Sequence, residues 1–520
     1  MTAVLTQLIR NVFTSWMGMV VTIVVTFFFT PYLIGELGKD QYGIWSLVFS
    51  LVAYMRLADV GMNQAISRFV SRYFALEDWS QLNQVVSSAA RIYLFVSVAI
   101  VAVSAGIAFG LLHYFQIDPE HLRIARITLT VIGLNQAVTY MFIPFAALLP
   151  FHRADIVNMF EIGQLLLQTL AIVVMLELGY GLVAMSLTVL TLTILSHLGR
   201  YSIRRRKFPK VHFSLDAIDG EKTRQLLGYG VTSLLIVAAW IVIFQTDNIV
   251  IGRFLSMEAI AVFAVPAAIV TQLRNSINAI AIPIVPTISH IEALEDESEV
   301  MNIYLKSSRY LYYLCGFICV CLLVFGGPFI MLWVGKDFTE SVRILHILVI
   351  PACVYLPQMI ANSVLFGVSR HKILLYILAA EGLSNIGLSL LLVQRYGIVG
   401  VALGTAVPQL IIYLMIYPYV FHRAMDAPVT RFYLTALRSA ALAAVITVPV
   451  ALGLRAWLPP EDWPRLIVGC SVTGIAMIIG FAAIVLEPED RRRILSRLSR
   501  RFGSSSDRIE PPPGQQPPLE

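Results

Sequence analysis

The sequence predicts an all-helical integral membrane protein of about fourteen transmembrane helices, built as two related six-helix halves followed by two extra helices. Three observations lead there. Hydrophobic residues make up 58% of 520 and charged residues only 13%, and the mean hydropathy is +0.77, whereas a soluble protein is about 25% charged. Mostly apolar runs of the roughly 20 residues that one crossing needs recur almost end to end. Finally, two stretches match without a gap: Arg56, Ala75-Leu76-Glu77-Asp78, Ser80 and Arg91 recur as Arg274, Ala293-Leu294-Glu295-Asp296, Ser298 and Arg309. The offset is 218 throughout (274 − 56, 293 − 75 and 309 − 91 alike). That is too long for a solenoid repeat and suits two copies of a many-helix bundle.

The elements follow in order. Residues 11–34 form the first crossing: the run is uncharged, too long for a secretion signal, and lacks an Ala-x-Ala cleavage site. Pro31 is expected to end it. Runs at 42–69, 86–115, 122–149, 156–178 and 181–201 complete a first lobe over residues 1–201. A basic stretch at 202–225, with Arg204, Arg205, Arg206 and Lys207, breaks the hydropathy and reads as a linker. Runs at 226–254, 259–288, 304–334, 342–366, 373–393 and 398–421 make the second lobe, residues 226–421. Two more, at 432–457 and 466–486, fall in residues 422–486 and have no counterpart in the first half. Residues 487–520 are a tail, first basic and amphipathic (491–501), then rich in Ser and Pro.

Basic residues orient the crossings. Arg10, Arg68, Arg91, the 200–210 cluster, Lys306, Arg309, Arg370, Arg423 and the tail fall on one side, and fewer on the other. By the positive-inside rule both termini are cytoplasmic, as an even helix count requires. Six helices separate the matched arginines, so the halves share one orientation and face each other about an axis along the membrane normal. Tyr180-Gly181-Leu182-Val183-Ala184 and Tyr396-Gly397-Ile398-Val399-Gly400, opening the sixth and twelfth helices, form a second matched pair. The net charge of +6 follows from this topology, and no nucleic-acid partner is needed to explain it. Cys315, Cys319, Cys321, Cys353 and Cys470 are odd in number and lie in apolar runs, so neither a disulfide framework nor a metal site follows.

Charges inside the apolar runs are the candidates for function. Arg56 lies fourteen residues beyond Tyr42 and Arg274 fifteen beyond Ala259, roughly 21 Å along a helix. An arginine at that depth costs a few kcal/mol unless it meets a watery cavity or an anion. Asp59, three residues from Arg56, can neutralise it locally; Arg274 has only Gln272, Asn275 and Asn278 nearby in sequence. Arg56, Arg274, Asn275 and Asn278 are therefore the candidate anion site. Asp247, Asp59, Glu161 and Glu381 are candidates for binding a proton or sodium ion, with Asp247 first, because Glu161 and Glu381 lie within two turns of the basic end and can snorkel. Pro144, Pro150, Pro266, Pro283, Pro286, Pro351 and Pro357 mark bends.

The run Pro31-Tyr32-Leu33-Ile34-Gly35-Glu36-Leu37-Gly38, then Tyr42-Gly43-Ile44-Trp45-Ser46-Leu47, Asp59-Val60-Gly61 and Arg68 resembles the opening of Wzx-type polysaccharide transporters. These belong to the MOP exporter superfamily, together with MATE transporters and lipid II flippases. The resemblance implies a V-shaped pair of six-helix lobes in the bacterial cytoplasmic (inner) membrane. By alternating access it would carry an undecaprenyl-pyrophosphate-linked oligosaccharide across, for O-antigen, capsule or exopolysaccharide synthesis, with polysaccharide polymerase machinery as a partner. Two departures matter: Wzx-type proteins commonly have twelve helices, and the extra pair here resembles that of lipid II flippases; yet the first helix, 11–34, carries no charge, whereas the lipid II branch resembles a more arginine-rich N-terminal half. A lipid II flippase and a cation-coupled drug exporter are the alternatives. A membrane glycosyltransferase or polymerase would need a sizeable loop bearing catalytic acids or histidines. The outward loops are short, and no P-loop, metal-spaced His pair or Ser, His and Asp set occurs, so neither catalysis nor a cofactor is expected.

Overall fold

The computed structural model describes residues 2–59, 61–146, 154–228, 231–295, 297–487 and 490–492. Among these the regular structure is helical throughout. Twelve helices are long and apolar enough to cross a membrane, and two of them are each a pair of crossings joined at a glycine. The helix Thr2–Tyr54 breaks at Gly38 (φ 72°, ψ 172°), and Lys372–Ile411 breaks at Gly397 (φ 57°, ψ −136°). Both conformations are open to glycine and strained for any other residue. Fourteen crossings result among the described residues.

We label them α1 (2–37), α2 (39–59), α3 (Trp79–Gly106), α4 (Pro119–Ala146), α5 (Ala154–Glu177), α6 (Leu182–Lys207) and α7 (Val231–Phe254). Then come α8 (Met257–Ala281), α9 (Glu297–Trp333), α10 (Lys336–Gly367), α11 (372–396), α12 (398–424), α13 (Val429–Trp457) and α14 (Trp463–Val485). Pro31 does not end the first crossing as its sequence suggested. It sits inside α1, and the chain turns seven residues later, because proline gives up one backbone hydrogen bond whereas a positive φ cannot continue a helix.

Small residues set the closest packing. A Cβ on Gly404 or Gly400 would collide with Ser389 or the Leu392 backbone, so α11 and α12 lie in tight antiparallel contact. Ser97 ties α3 to α4 through the Ala137 carbonyl (2.8 Å). The extra pair belongs to the second lobe: Tyr313 of α9 donates to the Met477 carbonyl of α14 (3.1 Å), and Arg455 of α13 donates to the Val324 carbonyl of α9 (2.8 Å).

The duplication is visible in the backbone. Glu77 and Glu295, equivalent at the 218 offset, both take a left-handed conformation (φ 53° and 58°). Arg91 and Arg309 also keep equivalent jobs. Arg91 donates to Thr223 after the first lobe (3.0 Å), and Arg309 pairs with Glu487 after α14 (3.5 Å). The linker is strapped to α3: Asn83 takes the His212 amide (3.1 Å), Ser87 the Ser214 amide (3.2 Å) and Ser88 the Asp219 amide (3.0 Å). Arg204, 3% exposed, closes it by donating to the Val211 carbonyl (2.6 Å). Asp296, Pro150 and the tail beyond Arg492 lie outside the described residues.

The lobes meet at the end opposite the chain termini. From that end inward, Gln116 donates its amide to the Gly252 carbonyl (2.8 Å), Asn248 donates to Ser50 (2.9 Å), and Tyr54 bonds Thr246 (2.5 Å). Beside this seam the Trp333 indole donates to the Phe27 carbonyl (2.6 Å), its ring stacked on Phe27 (centroids 6.0 Å). Trp463, at the start of α14, meets Phe27 edge-on at 5.6 Å.

Candidate functional site

Below the Tyr54–Thr246 contact the lobes part around a cavity of about 540 Å³, lined by Ala53 and Arg56 from α2 and otherwise by α7, α8, α10 and their neighbours. Arg56 and Arg274 face this one space with Asn275 and Asn278, and so do Gln245 and Asn362; no carboxylate is among the described lining residues.

Arg56 stands on a 3-10 turn, Met55–Asp59, that ends α2, and the Tyr140 hydroxyl holds its carbonyl (3.3 Å). Asp59 is engaged by the Tyr93 hydroxyl and is an electrostatic neighbour of Arg56. Arg274 is held differently. Its guanidinium lies 3.7 Å from the centre of the Phe244 ring and 5.9 Å from that of Trp240, and those two rings stack on each other (5.3 Å, 15°). One terminal nitrogen, Nη1, is buried with no hydrogen-bond partner. Local sequence offered Arg274 no carboxylate, but the fold brings Glu381 of α11 into its electrostatic neighbourhood, with Tyr355 and Tyr413.

The ion-coupling candidates separate. Asp247 (5% exposed) and Glu381 (2% exposed) sit inside the second lobe, behind the cavity wall. Thr405 donates to Asp247 Oδ2 (2.8 Å) and in turn accepts from Asn385 (2.8 Å). Asp247 Oδ1 and Asn385 Oδ1 remain buried acceptors without a partner. Glu381 accepts from Gln409 (3.1 Å) and from Tyr413 (2.9 Å). Glu381 also has the Arg274 cation in its electrostatic neighbourhood, whereas Asp247 has neutral donors alone, and a buried carboxylate so held is costly unless a proton or cation joins it. Glu161 is placed otherwise: its side chain is 61% exposed, 3.9 Å from Arg200. The near-equivalence of Glu161 and Glu381 along the sequence does not extend to their surroundings, because α11 is covered by α7 and α12 whereas this face of α5 is bare.

Asn362 and the Trp240–Phe244 platform were missed. Tyr417, fully buried, donates to Asn362 Oδ1 (2.5 Å). The pairing joins α10 to α12 and has no signal in the chain. The aromatic pair could have been found, since Trp240 and Phe244 are four apart on a helix. A separate apolar groove of about 390 Å³ runs between α9 and α14, lined by Leu311, Leu314, Met477 and Ile478 with Ile280 and Ile284. The segment around residue 282 and the start of the Met359–Gly367 stretch of α10 border both spaces: Ile282, Val285 and Met359 line the cavity, and Ile280, Ile284 and Ile360 the groove. Among the described residues no cluster suits a metal ion, and all five cysteines are free.

Residues 8–292, more than half the chain, match the family described as "Polysaccharide biosynthesis protein". A Shigella flexneri protein named "Putative O-antigen transporter" is 20% identical over 411 residues, 77% of this chain and 94% of that protein. The solved structure of lipid II flippase MurJ in an inward closed conformation superposes with a TM-score of 0.70 at 14% identity, over 95% of this chain and 99% of that one. An inward-facing multidrug resistance MATE family transporter of the MOP superfamily gives 0.65 at 14% identity, over 77% and 95%. At such identities the likeness is one of fold.

Proposed function

Because the chain belongs to the polysaccharide biosynthesis protein family and has the fold of the MOP superfamily, we propose that it is a flippase for polyprenyl-pyrophosphate-linked oligosaccharides. It would work in a bacterial inner membrane, with its termini and linker cytoplasmic. One observation carries this reading: an arginine from each lobe lines a single membrane-depth cavity that has no carboxylate among its described lining residues. Such a cavity attracts an anion and repels the cations that many drug exporters carry. Each guanidinium can offer two parallel hydrogen bonds to a phosphate, at about 1.5–3 kcal/mol per charge-assisted bond. The amides of Gln245, Asn275 and Asn278 suit glycan hydroxyls. The groove between α9 and α14, one helix away, suits the polyprenyl chain.

Transport is by alternating access. The contacts that must part for the far side to open are those of the seam, and Asp247, with Thr405 and Asn385, is the site at which a proton or sodium ion drives the exchange.

Deleting the gene and analysing the lipid-linked intermediates tests the substrate. Accumulation of oligosaccharide on its carrier supports the proposal, lipid II accumulation replaces it with peptidoglycan precursor transport, and unchanged lipids refute both. Arg56→Ala with Arg274→Ala in one chain should abolish glycan export while the protein still inserts. Undiminished export would overturn the cavity assignment.

A further inference from the structure

The cavity wall holds one amide whose orientation is fixed from behind. Asn362 lies on α10 among the lining residues, and its Oδ1 receives the Tyr417 hydroxyl at 2.5 Å. Tyr417 is 0% exposed, and its phenol proton has no other acceptor among the described residues. A buried hydroxyl proton left unpaired costs about 1–3 kcal/mol, so the amide oxygen must face the phenol rather than the cavity. The Asn362 amide nitrogen is thereby turned toward the other side, and among the described residues it donates to no protein group. Arg274 and its aromatic platform border the same space. Donors that protein acceptors do not use, beside a cationic group in a membrane-depth cavity, want an anionic oxygen.

We propose that Asn362 is a specificity-determining donor to a pyrophosphate oxygen of the substrate, and that Tyr417 is the positioning residue that keeps its NH2 facing the cavity. This rests on the anion-binding reading of the Arg56 and Arg274 cavity and adds a third recognition point to it. It also gives the wall a preference: a ligand with a hydrogen-bond donor at this place meets donor against donor.

The purified full-length chain in lipid nanodiscs, titrated with inorganic pyrophosphate, tests it. Asn362→Asp keeps the volume and the acceptor for Tyr417 but points an oxygen at the ligand. Affinity should fall about 10-fold or more, the equivalent of one charge-assisted hydrogen bond at ~1.4 kcal/mol. Tyr417→Phe removes only the hydroxyl and frees the amide to turn; a loss of about threefold is expected in the otherwise unchanged chain, and none beyond that of Asn362→Leu alone when the two are combined. Thermal unfolding of each variant separates lost binding from lost folding, and the single-atom Tyr417→Phe change keeps the question open to test if Asn362→Asp fails to fold. If Arg56→Ala with Arg274→Ala abolishes binding while both Asn362→Asp and Tyr417→Phe bind as the parent does, the proposal is overturned and the cavity reading stands. If the parent itself fails to bind pyrophosphate, both fall together.

Discussion

Arg274→Lys and Arg56→Lys both keep the positive charge at equivalent places of the duplication, yet they should differ in consequence. Both lose the paired hydrogen bonds that a planar guanidinium offers a phosphate and an ammonium does not, about 1.5 kcal/mol for one charge-assisted bond. Arg274 loses more. Its guanidinium is 3.7 Å from the Phe244 ring centre and 5.9 Å from that of Trp240, whereas Arg56 lies over no ring among the described residues. A desolvated cation–π contact contributes about 1–2 kcal/mol, and here it also presets the direction of the donors. Pyrophosphate affinity should therefore fall about 10-fold in Arg56→Lys and about 100-fold in Arg274→Lys, one tenfold step for each ~1.4 kcal/mol. Titration of the nanodisc-reconstituted protein reads both constants, and export of the glycan in cells should rank the two variants in the same order. Equal losses, or a larger loss at Arg56, would refute the claim that the aromatic platform prepares Arg274 for its ligand.

Three further changes probe other parts of the molecule. Asp247→Asn removes the charge that a cation would compensate, so the stabilisation expected of the parent with bound sodium or protons, ~2.7 kcal/mol at a hundred times Kd and read as a higher unfolding temperature, should vanish; a variant that keeps the rise excludes Asp247 as the ion site. Trp333→Phe keeps the stack on Phe27 but deletes a 2.6 Å hydrogen bond, worth about 1 kcal/mol, and should raise thiol labelling of cysteines introduced along the seam, measured in a background without the five native ones; unchanged labelling means the bond does not hold the lobes together. Gly397→Ala forces φ 57°, ψ −136° on a residue with a Cβ and should cost about 1–3 kcal/mol, read as a lower unfolding midpoint in detergent; an unchanged midpoint means the α11–α12 turn relaxes without strain.

Much of the architecture could be read from the chain because it rests on long-range averages. Hydropathy located the crossings, and the 218-residue offset revealed the halves. Where single residues decide, local rules misled. Pro31 looked like a stop and is a mid-helix residue, while the stop is Gly38. The site divided in the same way. An arginine inside an apolar run is visible at once, so Arg56 and Arg274 stood out, and both line one cavity. Glu161 and Glu381 looked alike because each lies near a helix start, but burial depends on which neighbours cover a face, and only α11 is covered on both sides. Asn362 and Tyr417 are 55 residues apart, and nothing in either segment announces the other. The linker was legible from its basic composition, but its fastening was not: Asn83, Ser87 and Ser88, scattered small polar residues of α3, hold it down.

Arg91 catches Thr223 as the chain leaves the first lobe, and Arg309 catches Glu487 as it leaves the second. Between those exits the second half carries two more crossings than the first. An even number of crossings returns the polypeptide to the face it left, so α13 and α14 can be spliced in ahead of the exit without moving the fastening. The pair therefore adds two crossings while the duplicated six-helix units and their equivalent fastenings keep a shared plan.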